Sequence, residues 1–290
     1  MQNDELKLSP QARKAILLAL AEDIGSGDYT SLWSVPEEHR SVARIFARSG
    51  GVIAGMPVAR FLLSRLKSEC ELVSAVPDGR VVQAGQVVAQ LRGSTRRLLG
   101  LERTLLNFLQ RLSGVATLTR RFVDRVEGSG AKILDTRKTT PGLRELEKYA
   151  VRVGGGYNHR FGLYDFVLLK ENHIAAAGGI REAVKAVRKA NDRNLLVEVE
   201  IRSVEEVLEA SRAGVDRIML DNMTVEQMRA SVELIRNHRK GGHPEIEASG
   251  DINLNSVAEV AATGVDYISV GALTHSAGIL NLTLIIETDS

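Results

Sequence analysis

Side chains that could do chemistry are concentrated in the ten residues DTRKTTPGLR, at positions 135–144. An apolar stretch precedes this segment, and Asp135, Arg137 and Lys138 follow it closely. Arginine binds carboxylate or phosphate through two parallel hydrogen bonds, and lysine adds a compact positive charge. The segment therefore predicts an anion site where a strand ends. Pro141-Gly142 is typical of the turn between that strand and a following helix.

Polar groups follow five further apolar stretches of the chain. These groups are Lys170, Glu171, Asn172 and His173; Glu198 and Glu200; Asp221 and Asn222; Glu247, Ser249 and Gly250; and Ser269 and Gly271. One charged strand end is more often a solvated loop than a site, but six in succession favour a site. Because the C-terminal ends of parallel strands meet at one rim, we expect these side chains to lie there together.

The signs of the charges narrow the chemistry. The cations that could bind a polyanion are Arg137, Lys138, Arg160 and Lys170. Glu200 and Asp221 would repel an anion, so they suit Mg²⁺, sugar hydroxyls or a developing positive charge. Ser249-Gly250 and Gly271 could bind a phosphate through backbone N–H groups, because glycine permits close approach. The motifs contain no Ser-His-Asp or Cys-His arrangement, so we expect catalysis by electrostatics and positioning.

Apolar strands and helical patterns alternate regularly from about residue 130. The expected strands are Lys132–Leu134, Phe166–Leu169, Leu195–Val199, Arg217–Leu220, Glu245–Ala248 and Tyr267–Val270. The expected helices are Gly142–Val153, Ile180–Ala190, Val204–Ala213, Val225–Asn237 and Leu254–Ala262, with Ser203, Thr224 and Asn253 as N-cap residues of the last three. Such repeats indicate a parallel sheet covered by helices. Roughly six units fall short of a full TIM barrel, so an incomplete (β/α) barrel is the first expectation and an open doubly wound sheet the second.

The earlier part of the chain mixes helices with short strands. A helical pattern covers Pro10–Glu22, and a longer one runs from Leu101 to about Val126 with an expected break at Ser113-Gly114. The expected strands are Val42–Ala47, Gly51–Ala54, Glu71–Val76, Val81–Val82 and Val87–Leu91. A small sheet with helices is the expectation for this part.

The composition is ordinary for a soluble globular protein. The 290 residues carry a net charge of +2, which does not suggest a nucleic-acid partner. Cys70 is the only cysteine, which excludes an intramolecular disulfide and a cysteine-ligated zinc site. The N-terminal MQNDELKLSP is unlike a secretory signal, and the longest aliphatic run there, Ala15–Ala21, is far shorter than the about 20 residues that span a membrane. We expect a soluble cytoplasmic protein without a membrane partner.

Several segments together resemble the quinolinate phosphoribosyltransferase family. They include LAEDIGSGDYTS (20–31), GLERTLLNFLQRLSGVAT (100–117), DTRKTTPGLRELEKYAVRVGGGYNHRFGLYD (135–165), LLKENHI (168–174), EVE (198–200), LDN (220–222), EASG (247–250) and ISVGALTHS (268–276). The resemblance implies an N-terminal α/β open-faced sandwich over residues 1–114 and an incomplete barrel of about six strands over 115–290. It also implies a homodimer or hexamer with shared active sites, in which the N-terminal domain of one subunit covers the barrel mouth of another.

The resemblance assigns roles residue by residue. Arg103 is similar to the arginine that reaches into the partner's site. The residues similar to those that bind quinolinate and phosphoribosyl pyrophosphate are Thr136, Arg137, Lys138, His159, Arg160 and Lys170. Glu200 and Asp221 are similar to the acidic pair near the ribose and Mg²⁺, and with Lys138 and Lys170 they are the expected catalytic residues. Ser249, Gly250 and Gly271 are similar to the 5′-phosphate site, with His275 just beyond. His173 and His275 could equally be structural.

Other functions stay open at this point. A related transferase could use nicotinate, or the chain could be the similar protein associated with molybdenum transport. A single nicotinate carboxylate needs fewer cations than this sequence offers. A non-catalytic barrel that binds phosphorylated metabolites would gain nothing from Glu200 and Asp221. A lyase that forms a Schiff base on Lys170 would need that lysine neutral.

Overall fold

The computed structural model describes residues 6–66, 69–238 and 243–288, so the first five residues of the polar N-terminal segment lie outside the described residues. The chain divides into two compact units. Unit 1 comprises Met1–Arg120, Thr139–Gly155 and Leu273–Ser290, and unit 2 comprises Arg121–Lys138 and Gly156–Ala272. The predicted domain division after residue 114 stays a prediction.

Unit 1 is built on an antiparallel sheet. Its strands are β1 (Arg40–Ala47), β2 (Gly51–Val52), β3 (Cys70–Ala75), β4 (Val81–Val82), β5 (Val87–Ser94) and, from the end of the chain, β12 (Leu282–Thr288). Four of them form a sheet in the order β12-β1-β5-β3, and β2 pairs with β4. The alternate residues of β1 are buried, as expected for a strand with one face on a core. Strand β12 was not among the strands predicted from the sequence.

Helices cover this sheet. The first three helices of unit 1 are α1 (Pro10–Ile24), α2 (Tyr29–Ser34) and α3 (Met56–Arg65). Helix α3 packs against β3, and α1 packs against α3. Ser9 explains where α1 begins, because its Oγ accepts a hydrogen bond from the backbone N of Ala12 at 3.1 Å and Pro10 occupies the first turn.

The long helix α4 (Thr95–Arg125) is continuous, so the expected break at Ser113-Gly114 is wrong. Gly114 is needed for packing instead, because a Cβ there would lie 2.0 Å from the carbonyl oxygen of Gly278. The Ser113 hydroxyl accepts a hydrogen bond from the backbone N of Ala54 at 3.0 Å. The close contact outweighs the low helix propensity of glycine.

Unit 2 contains a six-stranded sheet with every pair parallel. Its strands are β6 (Lys132–Leu134), β7 (Val167–Leu169), β8 (Val197–Ile201), β9 (Arg217–Asp221), β10 (Glu245–Ser249) and β11 (Tyr267–Ser269). The order is β6-β11-β10-β9-β8-β7, so β6 and β7 are the two edges. The predicted incomplete barrel of about six strands, with a separate α/β domain, is confirmed.

The remaining helices lie between or after these strands. They are α5 (Arg144–Val153), α6 (Glu171–Ala177), α7 (Ile180–Ala190), α8 (Val204–Ala213), α9 (Val225–His238), α10 (Val257–Ala261) and α11 (Ala272–His275). Ser203 and Thr224 accept hydrogen bonds from the third helical residue of α8 and α9, as predicted for N-caps. Asn253 does not cap α10, because that helix begins later and Ser256 precedes it. No helix among the described residues is long and apolar enough to cross a membrane.

Candidate active site

The loop after β6 begins with Asp135, which is fully buried. Its Oδ1 accepts a hydrogen bond from the backbone N of His159 at 2.9 Å, and its Oδ2 accepts one from Asn158 Nδ2 at 2.5 Å. Its backbone N donates to the carbonyl oxygen of Tyr157 at 3.1 Å. Asp135 therefore positions the segment that contains His159 and Arg160.

The same loop presents two cations. Thr136 Oγ1 accepts a hydrogen bond from the backbone N of Lys138 at 3.1 Å, which closes a tight turn. Arg137 and Lys138 are both exposed. The turn thus brings two positive charges to the surface of unit 2 directly beyond a strand end, as the sequence predicted. The role of Thr136 in lining a pocket stays a prediction.

Arg160 is buried, with 8% of its surface exposed. Its guanidinium nitrogen Nη1 donates a hydrogen bond to the backbone carbonyl oxygen of Phe166 at 3.3 Å. The guanidinium carbon also lies 5.7 Å from the centre of the Phe166 ring. Its buried Nε has no hydrogen-bond partner among the described residues. Burial and the charge of Arg137 lower the pKa of Arg160. Two neighbouring cations and an unsatisfied buried donor form an environment that an anion would stabilise.

Lys170 and Glu200 form an ion pair between the ends of β7 and β8. Lys170 is 46% exposed at its side chain, whereas Glu200 is nearly buried. Arg202 follows β8 directly. Its Nη2 is 4.0 Å from Glu200 Oε1, and its Nε is 3.7 Å from Asp221 Oδ2. Arg202 was not among the site residues predicted from the sequence. Its place directly after a strand end is the signal that could have identified it.

Glu200 and Asp221 were predicted to serve Mg²⁺. Their carboxylate oxygens are of the type that Mg²⁺ binds, usually through one or two carboxylates together with substrate phosphates. Lys170 and Arg202 already compensate these charges within the protein. The donor set therefore fits an ion that arrives with a phosphorylated substrate.

The expected phosphate site has the backbone geometry that requires glycine. Gly250, directly after β10, has a φ of +104°, and a Cβ there would lie 2.3 Å from Asn222 Oδ1. The backbone N of Asn222 donates to the carbonyl oxygen of Ser249 at 2.9 Å. Gly271 lies between β11 and α11. The structure thus places Ser249 and Gly250 together with the Asp221-Asn222 strand end.

Two predicted rim residues lie deeper than expected. Glu198 and Glu247 are fully buried and both contact His159, so their assignment to the exposed strand ends is wrong. His173 has a local role, because its Nδ1 accepts a hydrogen bond from the backbone N of Lys170 at 3.1 Å. This contact helps to begin α6 and favours the structural interpretation of His173.

Two predicted site residues belong to unit 1. Arg103 is exposed on α4, and among the described residues it forms no ion pair, including with its neighbour Glu102. His275 ends α11, is exposed, and has its Nδ1 2.5 Å from Ser276 Oγ. Participation of Arg103 and His275 in the site stays a prediction.

Comparison with known proteins identifies the family. The family model described as quinolinate phosphoribosyl transferase, N-terminal domain, matches residues 28–113, and that of the C-terminal domain matches residues 115–285. The chain belongs to the quinolinate phosphoribosyltransferase family. The predicted family and enzyme class are confirmed.

Similar proteins agree over nearly the whole length. A probable nicotinate-nucleotide pyrophosphorylase (carboxylating) of Bacillus subtilis is 45% identical over 94% of this chain and 93% of its own. A protein of the same description from Synechocystis is 44% identical over 91% of this chain and 89% of its own. The solved nicotinate-nucleotide pyrophosphorylase of Francisella tularensis has a TM-score of 0.91 and 38% identity, and the match covers 99% of this chain and 100% of that one.

Proposed function

We propose that the chain converts quinolinate and phosphoribosyl pyrophosphate to nicotinate mononucleotide, CO₂ and pyrophosphate, a step of de novo NAD biosynthesis. The proposal rests on one observation. In this member of the quinolinate phosphoribosyltransferase family, Arg160 is buried, its Nε has no hydrogen-bond partner among the described residues, and burial together with the nearby charge of Arg137 lowers its pKa. A dianionic pyridine ring and a polyphosphate are the anions that these two cations suit.

Binding would be shared between the cations. The buried His159 and Arg160 suit the two carboxylates of quinolinate, because a desolvated ion pair is stronger than an exposed one. The exposed Arg137 and Lys138 suit the more mobile pyrophosphate. The backbone at Ser249, Gly250 and Gly271 suits the 5′-phosphate. A single nicotinate carboxylate would contact fewer of these cations than the two carboxylates of quinolinate.

The first chemical step joins the ring nitrogen of quinolinate to C1 of the ribosyl group, and the C1–oxygen bond to pyrophosphate breaks. Positive charge develops on the ribose, and Glu200 and Asp221 would stabilise it. Lys138 and Lys170 would stabilise the negative charge of the leaving group. When bound with the substrate phosphates, Mg²⁺ would supply further charge compensation next to Glu200 and Asp221.

The second step removes the 2-carboxylate as CO₂. The ribosylated ring is a pyridinium, so it can hold the electron pair that the carbon–carbon bond leaves on the ring, and a proton from solvent then takes that position. No organic cofactor is needed, since the substrate accepts the electrons itself. The protein contributes position and charge.

A homodimer or hexamer with shared sites is part of the proposal. Arg103 supports it, because an exposed arginine without an ion pair among the described residues can reach another subunit at little cost. The cytoplasm is the proposed location.

One assay tests the reaction. Purified protein is incubated with quinolinate, phosphoribosyl pyrophosphate and Mg²⁺, and CO₂ and nicotinate mononucleotide are measured. Parallel reactions omit phosphoribosyl pyrophosphate or replace quinolinate with nicotinate. We expect product when quinolinate, phosphoribosyl pyrophosphate and Mg²⁺ are all present. We expect none when phosphoribosyl pyrophosphate is omitted or when nicotinate replaces quinolinate. Turnover of nicotinate without turnover of quinolinate would instead indicate the nicotinate-specific activity.

A further inference from the structure

A buried charge cluster lies against His159. The imidazole Nε2 is 3.4 Å from Glu198 Oε2 and 3.4 Å from Glu247 Oε1, and both carboxylates are fully buried. The ring of Phe166 packs on the imidazole with centroids 5.0 Å apart. Two carboxylates therefore face one nitrogen of a histidine that the proposed reaction uses.

The position of Glu247 is fixed by further contacts. Its Oε1 accepts a hydrogen bond from Ser269 Oγ at 2.6 Å, and its Oε2 lies 3.3 Å from Arg217 Nη1. Arg217 also pairs with Glu245 at 2.7 Å and lies 4.2 Å from the centre of the Tyr267 ring. Glu247 cannot turn away from His159 without breaking these contacts.

Glu198 depends more directly on the histidine. Both of its carboxylate oxygens are buried and have no hydrogen-bond partner among the described residues. An isolated carboxylate in such a place is costly, so a nearby cation is required to keep it charged. His159 can supply that cation, because its Nε2 lies 3.4 Å from Glu198 Oε2.

The charges favour a protonated ring. Burial alone would lower the pKa of His159, but the contacts with Glu198 and Glu247 outweigh it and raise the pKa to about 9. Contacts with His159, Ser269 and Arg217 hold the pKa of Glu247 below its ordinary value despite burial. Asp135, the other acidic group near His159, binds its backbone N. Burial and the charge of Glu247 raise the pKa of Glu198 to about 7, so at neutral pH Glu247 is the carboxylate that chiefly keeps the imidazole a cation.

We propose that Glu198 and Glu247 are positioning residues that act through His159, holding its ring in place as a cation beside Arg160 so that the pair receives a substrate carboxylate. This proposal rests on the proposed function for the identity of the substrate. It gives the two glutamates a part in substrate recognition, although both are buried beneath the predicted binding residues.

A divalent metal is the competing occupant of the cluster, because the donor atoms of His159, Glu198 and Glu247 all lie within 4.8 Å of one another. Glu247 already has a partner at each carboxylate oxygen, Ser269 at Oε1 and Arg217 at Oε2, and Arg217 is shared with Glu245. A proton on His159 adds a charge-assisted contact to Glu247 without displacing either partner, so the proton is the occupant proposed here, and the metal content of the purified protein tests the alternative.

Nitrogen NMR of ¹⁵N-histidine-labelled protein measures the ring directly. His159→Gln identifies the resonance, and a pH titration follows it. We expect a doubly protonated ring at pH 7.5 that titrates near pH 9. In Glu247→Gln the midpoint should fall by about one pH unit or more, because one of two negative charges is lost. Glu245→Gln is the matched control, since Glu245 lies on the same strand and pairs with Arg217. That variant should leave the midpoint unchanged.

A double-mutant cycle tests the path of the effect. Calorimetry measures the Kd of quinolinate for wild type, Glu247→Gln, His159→Gln and the double variant. Glu247→Gln should raise the Kd about tenfold, the scale of one charged hydrogen bond, and add almost nothing once His159 is replaced. Glu247→Asp should restore part of the affinity. An equal loss from Glu247→Gln in both backgrounds would refute the proposal.

Three further results separate the possibilities. Circular dichroism checks that each variant folds, and if Glu247→Gln does not, Ser269→Ala tests the same carboxylate more gently and should raise the Kd in the same direction. A stoichiometric metal in the purified protein that Glu247→Gln removes would overturn the proposal. Absence of quinolinate binding to wild type would refute the proposed function, whereas a neutral His159 at pH 7.5 would refute the inference by itself.

Discussion

Replacement of Gly250 by alanine should weaken both the fold and the phosphate site. Gly250 has a φ of +104°, a conformation that costs a residue with a side chain about 1–3 kcal/mol. The added Cβ would also lie 2.3 Å from Asn222 Oδ1 and 2.8 Å from the backbone N of Asn222. Because the second atom belongs to the backbone, the strand ends must separate. We expect the free energy of unfolding to fall by about 2–4 kcal/mol.

The same displacement should appear in the kinetics. A phosphate bound by backbone N–H groups at Ser249 and Gly250 would lose its geometry, so the KM for phosphoribosyl pyrophosphate should rise at least about tenfold. The KM for quinolinate should change less, because its proposed cations lie on other loops. Urea unfolding gives the stability, and initial rates with each substrate varied in turn give the two KM values.

Gly264→Ala is the matched control. Gly264 also has a positive φ, +90°, but the nearest atom to an added Cβ is Val232 Cγ1 at 3.4 Å. This variant should lose about 1 kcal/mol to backbone strain and keep wild-type KM values. If Gly250→Ala matches this control in both stability and KM, neither the clash with Asn222 nor the phosphate assignment is correct.

Four further variants test other parts of the structure. Gly114→Ala should destabilise the protein, because the added Cβ would lie 2.0 Å from the carbonyl oxygen of Gly278 and this clash outweighs the gain in helix propensity. Gly100→Ala should stabilise the protein by up to about 1 kcal/mol, because the atom nearest to its added Cβ is 3.9 Å away. Urea unfolding measures both changes in the free energy of unfolding, and the same sign for both would contradict this reasoning. Lys138→Ala should lower kcat/KM at least about a hundredfold through lost charge stabilisation, and near-normal kcat/KM would exclude its catalytic role. Arg103→Ala should be similarly impaired, and mixing it with Lys138→Ala should restore part of the activity; no recovery after confirmed subunit exchange would argue against shared sites.

Local pattern was sufficient to predict the barrel. All six strands of the parallel sheet begin and end within two residues of the expected positions, because continuous apolar runs between helical patterns leave few alternatives. Two features could not be predicted in this way. Strand β12 pairs with β1 from the other end of the chain, and Gly114 is explained by Gly278. Both depend on contacts between distant segments, which a local pattern does not contain.

The burial of Glu198 could not be predicted from the sequence either. Glu198 and Glu200 are two positions apart on β8, so their side chains lie on the same face, about 7 Å apart along the strand. Glu200 meets Lys170 and Arg202, whereas Glu198 is fully buried against His159. The predicted strand ended at Val199, whereas β8 ends at Ile201. Because of this error of two residues, the buried Glu198 was assigned to the rim.

Existing ion pairs should decide how much each cation contributes to binding. Lys170 is already paired with Glu200. A substrate anion that binds Lys170 must replace this ion pair, so the net binding free energy is only the difference between the new pair and the old one. Arg160 has a buried Nε without a partner among the described residues, so an anion there would satisfy an unmet donor. Arg160→Gln should therefore weaken quinolinate binding more than Lys170→Gln does. Calorimetry on folded variants gives the order, and a larger loss from Lys170→Gln would show that the pair with Glu200 opens at little cost.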